Sequence, residues 1–122
     1  MTDDTAPWPT ELRVSKDRKV LTVAFNTGDR HELSAEYLRV CSPSAEVKGH
    51  SPSQKQTVPG KRNVEIIKIE PVGNYAVRIH FDDMHSSGIY TWTYFMDLGT
   101  RRDVHWAGYL KELEDKGLGR DR

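Results

Sequence analysis

The 122-residue chain reads as an α+β fold: two small antiparallel β units with short helices, closed by a C-terminal helix. Three observations predict it. Apolar residues alternate with period two in "KVLTVAF" (19–25) and "YAVRIHF" (75–81), as half-buried strands require. Ser34 and Asp103 stand as caps before helical runs, Gly117 stops the run that Asp103 begins, and Gly99 stops another. Between the two strand-rich segments lies a polar stretch, 42–62, nearly empty of large apolar residues.

Residues 1–9 carry two prolines and two acids and read as a flexible arm. "LRVS" (12–15) and "KVLTVAF" flank the polar turn Lys16-Asp17-Arg18, a hairpin signature in which Leu21, Val23 and Phe25 share one face. "NTGD" (26–29) turns the chain into a third strand, "RHEL" (30–33). Ser34 then caps a helix through "AEYLRVC", with Glu36 in its first turn and Tyr37, Leu38 and Cys41 facing inward.

The stretch 42–62 holds three prolines, two glycines and four serines, and a loop of that length in a small domain is commonly functional. After it "VEIIKIEPVG" (64–73) and "YAVRIHF" form a second hairpin, with Tyr75, Val77, Ile79 and Phe81 inward and Ala76, Arg78, His80 and Asp82 solvated. "DDMHSSG" (82–88) is a polar turn, and "IYTW" a strand that rolls into the helix "TWTYFMDL". The two halves share this plan, with Phe25 twelve residues before Tyr37 and Phe81 thirteen before Tyr94, a weak internal repeat. In the final helix Trp106, Tyr109, Leu110 and Leu113 make one stripe, Glu112 and Lys116 an i,i+4 pair, and the tail "GLGRDR" is expected to fray.

Eighteen basic residues balance eighteen acidic ones, so no net field favours nucleic acid or an anionic membrane. The composition, 36% hydrophobic and 30% charged, is that of a soluble domain. One cysteine cannot form an intrachain disulfide, and the acidic N-terminus lacks the apolar run of a signal peptide, so a cytoplasmic protein is expected.

Chemistry is sparse. His80-Phe81-Asp82 with His105 has the residue types of an iron-binding facial triad, but His80 and Asp82 sit on the wet strand face beside Arg78. Cys41 falls at a helix C-terminus, where nothing lowers its pKa, and it reads as a buried structural thiol. The five histidines show no paired ligand spacing, although His50 and His85 lie in the two polar loops and can meet in space.

"YLRVCSPSAEVKGH", "VEIIKIEPVGNYAVRIHFDDMHSSGIYTW" and the ending "MDLG" resemble the DUF971 family, the gamma-butyrobetaine hydroxylase-like N-terminal domain. The resemblance spans residues 10–99, which sets off 1–9 as an arm and 100–122 as the C-terminal helix and tail. It implies a small α+β domain that accompanies 2-oxoglutarate and iron oxygenases or iron–sulfur ATPases. Oxygenase activity is not implied, because the catalytic domain of such enzymes lies outside this module. The family's structural zinc, held by three cysteines and a histidine, falls here on Ser42, Ser44, Val47 and His85, so the resemblance implies loss of that Cys3His site.

Two readings of this corner follow. Either Ser42, Ser44, Glu46, His50 and His85 line a polar site for a metal or a partner, or Ser42 and Ser44 close the turn by hydrogen bonds in place of the metal. The expected function is a non-catalytic adaptor that binds another protein through a surface containing Arg39, Ser42, Ser44, Glu46, His50, Asp83, His85 and Ser87. The alternative is a small metalloprotein holding iron or zinc with Glu46, His50 and His85.

Overall fold

The computed structural model describes residues 7–43 and 57–121. Ser44, Glu46, Val47 and His50 lie outside the described residues. The fold is α+β, as expected. Strands β1 (Pro9–Val14), β2 (Val20–Phe25) and β3 (Arg30–Ser34) make one antiparallel sheet in sequential order, followed by α1 (Ala35–Val40). Strands β4 (Ile66–Val72), β5 (Ala76–Phe81) and β6 (Ile89–Thr91) make a second, followed by α2 (Trp92–Thr100) and α3 (Arg102–Lys116). No helix among the described residues is long and apolar enough to cross a membrane.

The repeat suspected from two aromatic spacings is carried by the backbone. Trp8 and Asn26 exchange two bonds, Trp8 N–H to the Asn26 side-chain Oδ1 and Asn26 N–H to the Trp8 carbonyl. Glu65 and Asp82 repeat the exchange, through Glu65 N–H to Asp82 Oδ1 and Asp82 N–H to the Glu65 carbonyl. β1 and β4 are both irregular at the same place, between Pro9 and Glu11 and between Ile66 and Lys68. Ser34 and Thr91 each cap a helix by accepting the N–H of the tyrosine three residues on, Tyr37 and Tyr94.

Those two tyrosines join the halves. Tyr37 Oη donates to the Leu98 carbonyl at 2.7 Å, and Tyr94 Oη donates to the Cys41 carbonyl at 2.5 Å. Each thereby satisfies a carbonyl near the C-terminal end of the other's helix, which the helix itself leaves open. Around them Leu21, Val23, Phe25 and Leu33 from the first sheet and Ile66, Val77, Ile79, Phe81 and Tyr90 from the second form one core with Leu38, Phe95 and Leu98. Each such apolar side chain contributes on the order of 1.5–3 kcal/mol by leaving water.

Several local expectations give way to packing. Gly99 does not stop its helix, which runs on to Thr100; it is the place where the His31 ring lies, and a Cβ there would sit 2.4 Å from that ring. Asp103 lies in the first turn of α3 instead of capping it, and the cap position falls on Arg101 without a side-chain bond. Tyr75 is half exposed while Ala76 is buried, because the hairpin turn takes Tyr75 out of the strand. Leu110 flanks the buried stripe of α3 at 40% exposure. Glu112 and Lys116 both reach Thr57 Oγ1, so they tie the helix to the returning loop.

Through Asp121, where the described residues end, the tail is not frayed. After Gly117, which adopts the left-handed C-cap conformation, Leu118 N–H returns to the Leu113 carbonyl. Gly60 N–H and Arg62 N–H then donate to the carbonyls of Gly119 and Arg120. At the other end the expected arm is tied down from Trp8 onward, and β1 already begins at Pro9.

Candidate functional site

The polar corner forms where the end of α1 meets the 82–88 turn. Two tyrosines fix the chain there: Tyr90 Oη donates to the Leu38 carbonyl at 2.5 Å, and Tyr94 Oη to that of Cys41. This delivers Ser42, fully buried, to His85, which is 7% exposed. Ser42 Oγ and His85 Nε2 lie 2.9 Å apart and share one proton, donated by the hydroxyl or the ring according to the tautomer. The Ser42 hydroxyl also meets Tyr90, whose own hydroxyl burial pushes far above the usual phenol range. Gly88 is required by this closeness, since a Cβ there would stand 2.3 Å from Ser42 Oγ.

Asp83 organises the other side of the turn. Its Oδ2 receives Arg39 Nε at 2.7 Å and Lys61 Nζ at 2.6 Å, and its Oδ1 receives the His85 N–H at 3.1 Å. Burial alone would push this carboxyl up, but the bonds from Lys61, Arg39 and the His85 backbone outweigh it and hold the pKa at about 2. Arg39 is itself 4% exposed and Asp83 only partly exposed, so the ion pair is largely shielded from water, where losing one partner strands the other.

Arg39, Ser42, Asp83 and His85 therefore do come together, and Ser87 borders the same open cleft of about 410 Å³ with Met84 and Ser86. Ser44, Glu46 and His50 fall outside the described residues. His80 pairs instead with Glu70 and His105 with Asp97, so the facial-triad residue types are used in two separate surface pairs.

Sequence reasoning missed Lys61, Tyr90, Gly88 and Met84. Lys61 gave no signal, being one basic residue in a polar loop. Met84 had one: the repeat sets it against Gly28. Gly28 N–H returns to the Phe25 carbonyl, and Met84 N–H to the Phe81 carbonyl, in the same turn of each unit. Both have positive φ, 95° and 75°. Left-handed backbone suits glycine and costs an unbranched L-residue about 1 kcal/mol or more. Met84 bears that strain and stands 89% exposed at the tip of the turn.

The corner is built to hold itself together. In a tetrahedral zinc site, ligands at 2.0–2.3 Å from the ion stand about 3.3–3.7 Å from one another. Ser42 and His85 approach closer than that, in an ordinary hydrogen bond, and a neutral serine hydroxyl is a poor zinc ligand. Among the described residues no three metal-ligating side chains converge. Nor does Ser42 have a surface through which a substrate could reach it as a nucleophile.

Comparison with known proteins agrees with the architecture. The model of the family described as gamma-butyrobetaine hydroxylase-like, N-terminal, matches residues 12–96. A solution NMR structure shares 45% identity at a TM-score of 0.80, covering 94% of this chain and 90% of that one. A second NMR structure shares 39% at 0.81, covering 98% and 89%. A crystal structure of a protein of unknown function in the DUF971 family, from Acidithiobacillus ferrooxidans, shares 38% at 0.62, covering 74% and 90%. No curated protein sequence matches the chain.

Proposed function

We propose that this chain, which belongs to the gamma-butyrobetaine hydroxylase-like N-terminal (DUF971) family, is a non-catalytic cytoplasmic adaptor that docks another protein through its 82–88 turn. The partners are of the kind the family accompanies: iron, iron–sulfur or 2-oxoglutarate oxygenase proteins. One observation carries the reading. The polar side chains behind the turn bond to one another, whereas Met84 is held outward on left-handed backbone where the twin turn uses glycine. Strain of this sort persists where a surface needs it, and a flexible thioether suits an apolar pocket on a partner.

The chain itself is the bait. A partner recovered by the wild-type protein under native expression should fall at least tenfold with Met84→Asp, while the folded NMR spectrum is unchanged. Equal recovery with both baits would sink the docking role of the turn. Metal content of untagged protein purified without oxygen decides the competing reading. Stoichiometric iron or zinc, with shifts centred on His85, would replace the adaptor by a metalloprotein using Glu46, His50 and His85.

A further inference from the structure

Glu36 presents an unusual requirement, a carboxylate only 6% exposed on the first turn of α1. Its cation comes from the far end of the chain. Arg120 Nε and Nη2 meet Glu36 Oε2 and Oε1 at 2.8 and 2.7 Å, a bidentate fork. The guanidinium also lies 5.2 Å from the centre of the Trp106 ring, a cation–π distance. Beside it two main-chain bonds hold the tail, from Gly60 N–H to the Gly119 carbonyl and from Arg62 N–H to the Arg120 carbonyl, at 2.9 and 3.1 Å. A planar acceptor, an aromatic face and two main-chain donors are together what recognises an arginine-bearing segment.

The origin of the parts is informative. Glu36 lies inside the segment 12–96 that matches the family, whereas Trp106 and Arg120 lie outside it. A buried carboxylate in the family's own domain needs a cation from somewhere, and here the tail supplies it. The tail can lift without opening the core, since Leu118 is 41% exposed and the side chains of Arg120 and Asp121 are 30% and 67% exposed. Beside the fork lies a cleft of about 410 Å³ with Ser34, Tyr37 and Arg102 on its walls, which gives an incoming side chain room to enter.

We propose that this slot is a recognition site for an arginine-bearing segment, held in cis by Arg120 and open to such a segment of another protein when the tail lifts. It is separate from the Met84 turn. The test uses the full chain carrying Arg120→Ala and, as probe, the hexapeptide Gly-Leu-Gly-Arg-Asp-Arg, which reproduces residues 117–122. Saturable NMR shifts are expected at the Trp106 indole N–H and the Glu36, Gly60 and Arg62 amides. They should be at least tenfold weaker with the peptide's first arginine replaced by alanine, with wild-type protein, or with Glu36→Gln added. A folded Arg120→Ala chain that shows no shifts at millimolar peptide overturns the proposal, as does equal binding of the alanine peptide. Should Arg120→Ala lose its dispersed spectrum, Arg120→Lys, which keeps the charge without the fork, is titrated in its place. Failure of both variants to fold makes Arg120 a fixed brace and also overturns the proposal.

Discussion

The two β units obey the same hydrogen-bonding plan and part company at two kinds of place. Where the chain turns after β2 and after β5, the first unit has Asn26-Thr27-Gly28-Asp29 and the second Asp82-Asp83-Met84-His85, with the same main-chain bonds. Where a helix end meets the opposite half, the matching residues are 57 positions apart, one more than in the turns, and the sizes differ. Ser42 faces Gly88 at one junction, and Gly99 faces His31 at the other. His85 fills the first junction and bonds Ser42, while among the described residues the buried Nε2 of His31 finds no hydrogen-bond partner at the second. The lesson is one of separation: what both units keep is what folding needs, and what only the second unit has is available for something else.

The junctions give the largest expected effect. Gly88→Ala should cost about 2–3 kcal/mol, because its Cβ forces Ser42 away from His85. Gly99→Ala should cost less, since alanine favours the helix by about 1 kcal/mol and partly offsets the clash with His31. Chemical denaturation measures both. Adding His31→Ala should recover stability to Gly99→Ala, and no recovery would show that the ring is not what the glycine accommodates.

Acid separates the turns next. Asp83 has a depressed carboxyl, so its stabilisation is complete above about pH 4 and disappears as pH falls through about 2. Allowing for solvent at its edge, about 1–2 kcal/mol should vanish over that window. Asp83→Asn should flatten the wild-type loss between pH 5 and pH 2. Thr27 occupies the matching place in the first unit and carries no charge, although its hydroxyl donates to Asp29 Oδ2 at 2.6 Å, so Thr27→Ala should change the acid profile far less than Asp83→Asn does.

The reciprocal tyrosines make the comparison quantitative. Tyr37→Phe and Tyr94→Phe each leave a helix-end carbonyl without its phenol and should each cost about 1–2 kcal/mol, alike to within about 0.5 kcal/mol. A large inequality would break the equivalence of the units. Smallest is the turn tip. Met84→Gly should stabilise by a few tenths to about 1 kcal/mol, and Gly28→Ala should destabilise by a similar amount.

Within the chain, different features were legible for different reasons. Leu21, Val23 and Phe25 alternate with polar neighbours, and Ser34 stands before a helical run, so strands and caps follow from local periodicity and one side-chain bond. Arg39, Ser42, Asp83 and His85 were legible as polar residues in neighbouring loops, although the bonds that join them span 43 or 44 positions. Lys61 and Tyr90 were not, since a lone loop lysine and a strand tyrosine look ordinary until the partner across the fold is known. The tail was misread for the same cause: "GLGRDR" has no structure of its own, and Glu36 and residues 60–62 impose one on it.

By itself the sequence determined the α+β class, the succession of strands and helices in each half, and the family, because period, caps and motif spacing act over a few residues. Tertiary structure alone decided that Gly99 is a packing site instead of a stop, that Met84 takes the left-handed place of Gly28, and that Arg120 closes over Glu36. Those outcomes depend on which surfaces meet across as many as 84 positions of chain, and no local pattern encodes the shape of a distant partner.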